Sequence, residues 1–105
     1  MSSIFTKILN WEIPSDIIYK QNDIFVIKDI NPKAKLHLLI IPEKEISTIN
    51  DLKKEDSNLI ANMFFVAQKM AKKFWVEQGY KLGFNVWEKW WQEVMHIHMH
   101  LLSDL

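Results

Sequence analysis

The chain has 105 residues, of which 49% are hydrophobic and 25% charged, as is typical of one globular domain, here expected over residues 1–105. Its 13 basic and 13 acidic side chains give a net charge of zero, which argues against a nucleic-acid or membrane partner bound by bulk positive charge. Cysteine is absent, which excludes disulfides, a thiolate metal site and a thiol nucleophile.

The first segment, residues 3–14, has the periodicity of a short amphipathic helix. Ile4, Phe5 and Ile8 share one face at helical spacing, and Pro14 prevents the helix from continuing. The chain has neither a signal-peptide pattern here nor a membrane-length apolar run, so we expect a cytoplasmic protein. Two segments rich in β-branched and aromatic side chains follow, and the turn residues between them predict a hairpin. These strands cover residues 16–21 and 23–30, with the turn at Asn22 and Asp23.

A nearly continuous apolar run over residues 36–42 predicts a central, buried strand. Next comes one long helix with a broad apolar face, which Asp51 or Asp56 could cap. Its apolar positions are Leu59, Ile60, Met63, Phe64, Ala67, Met70, Ala71 and Phe74. Two further strands are predicted at residues 80–86 and 94–102. Five strands with one long and one short helix predict an α+β domain with a mostly antiparallel sheet.

Three of the four histidines alternate near the end of the chain, in the segment MHIHMH. In a strand, His96, His98 and His100 would face one side at steps of about 6.6 Å. We expect this side to be an open or concave surface, and the apolar residues between the histidines to face the core. Three interpretations are open: exposed polar side chains, a zinc site of imidazoles, and nucleophilic or acid–base chemistry on a phosphate ester. No neighbouring acidic residue completes an obvious metal set, so we expect neither a metal nor another cofactor.

The last strand contains HIHMHLL, which matches the His-φ-His-φ-His-φ-φ signature of the histidine triad (HIT) superfamily, where φ is an apolar residue. The chain resembles the bacterial Hint-like branch of that superfamily over nearly its whole length. Other resembling segments are IFTKILNWEIPSDIIY, KDINPKAKLHLLIIP and WQEV, the last in place of a common GQEV. The resemblance implies the antiparallel α+β HIT fold and a homodimer whose two sheets join into one.

The resemblance also implies cleavage of purine nucleoside 5′-phosphoramidates or related nucleoside monophosphate conjugates, through a nucleotidyl-histidine intermediate. His98 matches the nucleophile, and His100 matches the residue that contacts a non-bridging phosphate oxygen. His96 and His37 match supporting histidines, and Asp29 matches the acid that binds the ribose hydroxyls. The implied base pocket consists of Ile4, Phe5, Ile8 and Ile30, and the implied polar groups near the phosphate and leaving group are Asn85 and Gln92. Without the resemblance, His37 would more simply be a core histidine and Asp29 a turn residue.

Five tryptophans occupy positions where the resembling family has glycine. Trp87, Trp90 and Trp91 lie in NVWEKWWQ, in place of a phosphate loop of the form N-x-G-x-x-G-G-Q, and are expected to crowd that site. Trp11 and Trp75 also replace family glycines. We hypothesise that these five residues are encoded by UGA codons, which some bacterial lineages read as glycine and others as tryptophan. The gene would then belong to a lineage of the first kind and have been translated with the codon table of the second. The alternatives are engineering, or a remodelled loop in a catalytically impaired nucleotide-binding or interaction module.

Overall fold

A five-stranded sheet organises the fold, which a computed structural model describes over residues 2–105. The strands are β1 (Ile17–Gln21), β2 (Ile24–Lys28), β3 (Leu36–Pro42), β4 (Lys81–Gly83) and β5 (Met99–Ser103). Their spatial order is β1-β2-β3-β5-β4, and every neighbouring pair is antiparallel. The helices are α1 (Ile4–Leu9) and α2 (Ser57–Lys73), with short 3-10 turns at Ile49–Asp51, Lys54–Asp56 and Glu88–Trp90. The predicted α+β class is confirmed.

The two faces of the sheet bury different sets of side chains. One face packs against α2, and its buried residues include Val26, Leu38, Ile40, Ile97, Met99 and Leu101. The other face packs against α1 through Phe25, Ile27, Leu39 and Ile41, which meet Phe5 and Ile8. The apolar positions between the C-terminal histidines therefore lie under α2 from Ile97 onwards, as predicted. Within residues 2–105, no helix has the length and apolar character needed to cross a membrane.

The last strand is shorter than predicted, because it begins at Met99 and not at residue 94. Its pairing with β3 reaches only as far as Ile40 opposite Met99, and β3 itself ends at Pro42, which has no N–H for a ladder. The preceding segment instead pairs with a loop, since the Ile97 N–H donates to the Ile46 carbonyl oxygen over 2.7 Å. Thus only the third triad histidine lies in a strand.

Helix α2 carries its apolar face largely as predicted, with two differences. Phe64 is 45% exposed, while Val66, which was not predicted, is buried. Asp56 holds the N-cap position but makes no side-chain bond to the helix. Its carboxylate accepts instead from the Lys53 N–H at 2.9 Å and from Lys44 Nζ at 2.6 Å. The same carboxylate therefore fixes the turn that leads into α2.

Both α-helices end in a Schellman motif that has tryptophan at the position where glycine is usual. After α1, Trp11 has a φ of 64° and its N–H donates to the Ile8 carbonyl, while the next N–H reaches the Lys7 carbonyl. After α2, Trp75 has a φ of 58° and the same pair of bonds follows. This left-handed turn ends α1 at Leu9, well before the proline that was expected to end it.

The loop before the histidines contains two more tryptophans in glycine-like conformations. Trp87 has φ 74° and ψ 157°, a region that is essentially limited to glycine, and Trp91 has φ 67° and ψ 26°. Trp90, between them, lies in the 3-10 turn without a positive φ. Four of the five tryptophans thus have a backbone conformation that favours glycine. This is the observation expected if these positions are encoded as glycine.

Candidate active site

Four histidines come together on the face of the sheet that packs against α1. His37 comes from β3, His100 from β5, and His98 and His96 from the segment before β5. The rings of His98 and His100 are 5.0 Å apart between centroids, and those of His37 and His100 are 5.1 Å apart. The predicted open or concave surface is partly covered by α1, because the ring of Phe5 packs edge-on against His98 at 5.0 Å, whereas His100 is only partly buried. His37, His96 and His98 are buried, and each has hydrogen-bond partners that make its burial possible.

His98 presents a free lone pair because of a bond to the main chain. Its Nδ1 lies 2.8 Å from the carbonyl oxygen of His96, an acceptor, so Nδ1 carries the proton. Burial lowers the pKa of His98 below its ordinary value, so the ring is neutral at neutral pH. The unprotonated Nε2 of a neutral imidazole is a competent nucleophile.

His37 and His100 form a chain of hydrogen bonds that begins at a backbone amide. The Lys33 N–H donates to His37 Nδ1 over 3.1 Å, so the proton of a neutral His37 lies on Nε2. That nitrogen is 2.9 Å from His100 Nδ1, which must then accept and leave the His100 proton on Nε2. His100 Nε2 is buried and has no hydrogen-bond partner among the described residues. The chain therefore ends in a buried N–H donor that lacks an acceptor.

Burial keeps both rings of this chain neutral. Desolvation and the neighbouring rings of His98 and His37 lower the pKa of His100 to about 4. The pKa of His37 is also lowered by burial, which outweighs the opposing effect of the Asp29 carboxylate. At neutral pH the site thus contains uncharged imidazoles with fixed donors and acceptors.

Asp29 serves both the turn and the site. One carboxylate oxygen accepts from the Asn31 N–H at 2.8 Å, as expected of a turn aspartate. The other oxygen lies 3.4 Å from His37 Nε2. The structure therefore places Asp29 beside the histidines, and it places His37 in the site and not in an isolated core position.

His96 has both ring nitrogens occupied. Its Nε2–H donates to the Pro42 carbonyl over 2.7 Å, and its Nδ1 accepts from the hydroxyl of Ser3 over 2.5 Å. The side chain is fully buried, and burial lowers its pKa. His96 is thus placed to orient the site. The sequence did not predict a role for Ser3 in this site. Its position before α1 is typical of a helix N-cap, and no sequence pattern links it to His96, which lies 93 positions further along the chain.

The donor set does not suit a metal ion. Asp29, His37 and His100 each offer a ligand atom within 4.8 Å of the others. A metal at His37 Nε2 would need a lone pair there, but the Lys33 N–H already occupies the lone pair of the other nitrogen. Both nitrogens of His96 are also engaged, so the tri-histidine metal interpretation does not fit.

The residues expected to form the base pocket divide into two groups. Phe5 and Ile8 are buried in the core cluster on the α1 side, and Phe5 contacts both His96 and His98. Ile4 and Ile30 are 46% and 90% exposed. Among the four residues predicted to form the base pocket, Phe5 is the one whose ring contacts the histidines.

Asn85 and Gln92 hold the loop before the triad. The buried Gln92 amide accepts from the Trp87 N–H over 2.8 Å and donates to the Ser47 carbonyl over 2.6 Å. Asn85 Nδ2 donates to the Trp91 carbonyl over 3.2 Å. The three loop indoles, expected to crowd the site, are 53–69% exposed. Within residues 2–105, the ring contacts of the histidines are with Phe5 and with one another.

Comparison with known proteins finds relatives that match nearly the whole chain. A family model described as scavenger mRNA decapping enzyme C-term binding matches residues 2–105. The chain is 45% identical over 102 residues to a purine nucleoside phosphoramidase of Escherichia coli (strain K12), with 96% of this chain and 86% of that protein covered. A HIT family hydrolase from Legionella pneumophila has a TM-score of 0.93 at 45% identity, covering 97% of this chain and 92% of that one. A second HIT family hydrolase, from Clostridium thermocellum, has a TM-score of 0.93 at 34% identity, covering 99% and 91%.

The five-stranded antiparallel sheet with one long helix is the fold of these hydrolases. The chain belongs to the histidine triad (HIT) family.

Proposed function

We propose that the chain is a nucleotide hydrolase or transferase that cleaves purine nucleoside 5′-phosphoramidates or related nucleoside monophosphate conjugates. One observation carries the proposal: the free Nε2 lone pair of His98 lies beside the unpartnered Nε2–H donor of His100. A nucleophile next to a donor that lacks an acceptor is the arrangement that attack on an anionic phosphorus centre needs. The name of the Escherichia coli relative supports the substrate class.

In the first step, His98 Nε2 attacks the α-phosphorus and the bond from phosphorus to the leaving amine breaks. The departing amine takes up one proton from the solvent, and the nucleotidyl group stays on His98. The positive charge that develops on the ring is stabilised because Nδ1–H already donates to the His96 carbonyl. The His100 N–H donates to a non-bridging oxygen, and His37 holds it in that tautomer.

In the second step, water attacks the same phosphorus, the phosphorus–Nε2 bond breaks, and neutral His98 is regenerated with release of the nucleoside monophosphate. The attacking water loses one proton to the solvent, which balances the proton that the amine took up. None of these steps uses a metal or another cofactor, and the chemistry is supplied by neutral imidazoles with low pKa values.

The nucleotide is positioned by groups that surround the histidines. We assign the ribose hydroxyls to the Asp29 carboxylate, which lies beside His37. The base is assigned to the apolar residues Ile4, Phe5, Ile8 and Ile30. Asn85 and Gln92 act on the phosphate and leaving group through the loop whose backbone they hold, because their amides are bonded to that loop and its neighbour.

Two copies of the chain are proposed to form a homodimer in the cytoplasm, with no nucleic-acid or membrane partner. Strand β4 is the last of the sheet on its side, and it pairs only with β5 within the described residues. Phe64 of α2 is also 45% exposed. A mass of two chains by light scattering is expected, and a mass of one chain would contradict the dimer.

A second candidate is a nucleotide-binding or interaction module with impaired catalysis. It is favoured by Trp87 and Trp91, which have glycine-like backbone conformations in the loop that leads to the triad. In the HIT family this loop is expected to approach the phosphate, and indoles there would obstruct it without removing the histidines. Nucleotide affinity without turnover would identify this case.

The test is AMP release from adenosine 5′-phosphoramidate, with His98→Ala as the blank. It is run on the chain with tryptophan and on a variant with glycine at all five tryptophan positions. Turnover that is lost in the blank supports the proposed hydrolase. AMP binding with no turnover in either form supports the binding module, and neither binding nor turnover would contradict both.

A further inference from the structure

The hydroxyl of Ser3 connects two distant parts of the fold. Ser3 is the N-cap of α1, where its Oγ accepts from the Thr6 N–H over 3.1 Å. The same oxygen lies 2.5 Å from Nδ1 of His96, at the other end of the chain. One side chain thus both begins the N-terminal helix and contacts the triad.

The other partner of His96 sets the direction of this bond. Its Nε2 faces the Pro42 carbonyl at 2.7 Å, so the proton of the neutral ring is there and Nδ1 is an acceptor. His96 is fully buried, and a buried acceptor without a donor is costly. The O–H of Ser3 is the donor that His96 requires.

Glu45 holds Ser3 in place for this role. Its Oε1 accepts from the Ser3 N–H at 2.5 Å and from the Thr6 hydroxyl at 2.6 Å. The Thr6 hydroxyl proton is thereby used. The Ser3 hydroxyl then has two acceptors in reach, and His96 Nδ1 at 2.5 Å is much closer than Thr6 Oγ1 at 3.3 Å. These bonds to Glu45 also lower the pKa of its carboxyl group, so the anchor is a carboxylate at neutral pH.

The contact reaches the nucleophile by two routes. The carbonyl of His96 accepts the Nδ1–H of His98, so a fixed His96 fixes the orientation of the attacking ring. Phe5, two residues after Ser3, packs edge-on against His96 at 5.6 Å and against His98 at 5.0 Å. Loss of the bond between Ser3 and His96 would loosen both supports.

We propose that Ser3 is a positioning residue of the active site, which holds His98 through its hydrogen bond to His96. This inference rests on the proposed function for its effect on turnover, but not for its effect on the histidines. Capping α1 needs only an acceptor at residue 3, whereas His96 needs a donor. A hydroxyl supplies both, and this difference separates the positioning role from simple helix capping.

Three substitutions and one control test the proposal. Ser3→Thr keeps the acceptor and the donor, Ser3→Asp keeps the cap but offers no donor, and Ser3→Ala removes both. Ser2→Ala, at the exposed neighbouring position, is the matched control. The readouts are the ¹⁵N NMR resonances of the His96 ring, the protection of the His98 Nδ1–H against exchange with water, and kcat and KM for AMP release.

We expect Ser3→Ala and Ser3→Asp to shift the His96 Nδ1 resonance and to reduce protection of the His98 proton. Their kcat should fall on the order of tenfold, as for the loss of one hydrogen bond, with KM changed less than about twofold. Ser3→Thr and Ser2→Ala should stay within about twofold of the parent in kcat.

Two results would overturn the proposal. If Ser3→Asp retains the parent's protection and kcat while Ser3→Ala loses them, Ser3 is only a helix cap. If Ser3→Ala leaves the NMR readouts unchanged, the bond to His96 has no positioning role. A parent chain that releases no AMP would count against the proposed function alone, because the NMR readouts still decide the role of Ser3.

Discussion

Replacement of Trp87 by glycine is expected to stabilise the protein, although it deletes the largest side chain. Trp87 has φ 74° and ψ 157°, where any side chain is strained by about 1–3 kcal/mol. The indole is 53% exposed and packs against neither of the two hydrophobic core clusters, so its loss removes no core packing. Against this gain, glycine loses more backbone entropy on folding, by about 0.5–1 kcal/mol. The net gain expected in the free energy of unfolding is about 1 kcal/mol.

The same reasoning applies to the three tryptophans in the left-handed region. Trp11, Trp75 and Trp91 have φ values of 64°, 58° and 67°, and their side chains are 80%, 88% and 69% exposed. Left-handed backbone costs a residue with a side chain about 1–2 kcal/mol. After the entropy cost of about 0.5–1 kcal/mol for each new glycine is subtracted, the four replacements, including that of Trp87, should together add about 3 kcal/mol, a large part of the stability of a typical domain.

Trp90 is the matched control for this prediction. It is 68% exposed and lies in the same loop, but it has no positive φ. Trp90→Gly should therefore gain nothing, and should lose up to about 1 kcal/mol. Urea unfolding followed by far-UV circular dichroism measures each variant without relying on indole fluorescence. A gain of about 1 kcal/mol moves the midpoint by roughly 0.5 M.

One result would exclude backbone strain as the cause of the stabilisation, and another would exclude the codon hypothesis. Equal changes for Trp90→Gly and Trp87→Gly would show that backbone strain is not the cause. The hypothesis that these residues are encoded as glycine also requires UGA at all five positions in the gene. A single UGG codon among them would contradict it, even if the strain is real.

Three further predictions concern the pH response, the donor and the core. Burial lowers the pKa values of all four histidines below 6.5. The unfolded chain therefore binds more protons than the folded one, and the free energy of unfolding should fall as the pH drops below about 6.5. A free energy of unfolding that stays constant down to a pH of about 4 in an acid titration would contradict this. His100→Ala removes the N–H donor and should lower kcat for AMP release by about 100-fold, whereas an unchanged kcat would show that the donor is not used. Leu101→Ala, at a fully buried position, should cost about 3 kcal/mol in urea unfolding, and a loss below about 1 kcal/mol would show a core that readily repacks.

Local sequence patterns predicted the elements whose own residues carry a clear signal. The bounds of β3 agree with its apolar run over residues 36–42, and the hairpin turns at Asn22 and Asp23 as expected. The start of β5 was missed because the alternation of side chains continues back to His96. What ends the strand is its partner, which stops at Pro42, and no pattern in the last strand reveals that limit.

The candidate site shows the same division. The alternation and the triad signature indicated that His96, His98 and His100 act together, and the structure brings them together with His37. The proton positions on the rings could not be predicted, because they depend on main-chain groups and on Ser3, which come from other segments. Those contacts set which ring nitrogen of each histidine carries the proton and which presents a lone pair.

We propose that His98 carries the nucleotide during turnover. The most direct test is intact-protein mass spectrometry of the glycine-containing chain, rapidly quenched after mixing with adenosine 5′-phosphoramidate, followed by peptide mapping. We expect one adenylyl group on the peptide that contains His98, and none in His98→Ala. Release of AMP at the parent rate by His98→Ala, or an adenylyl group on a different residue, would contradict the claim.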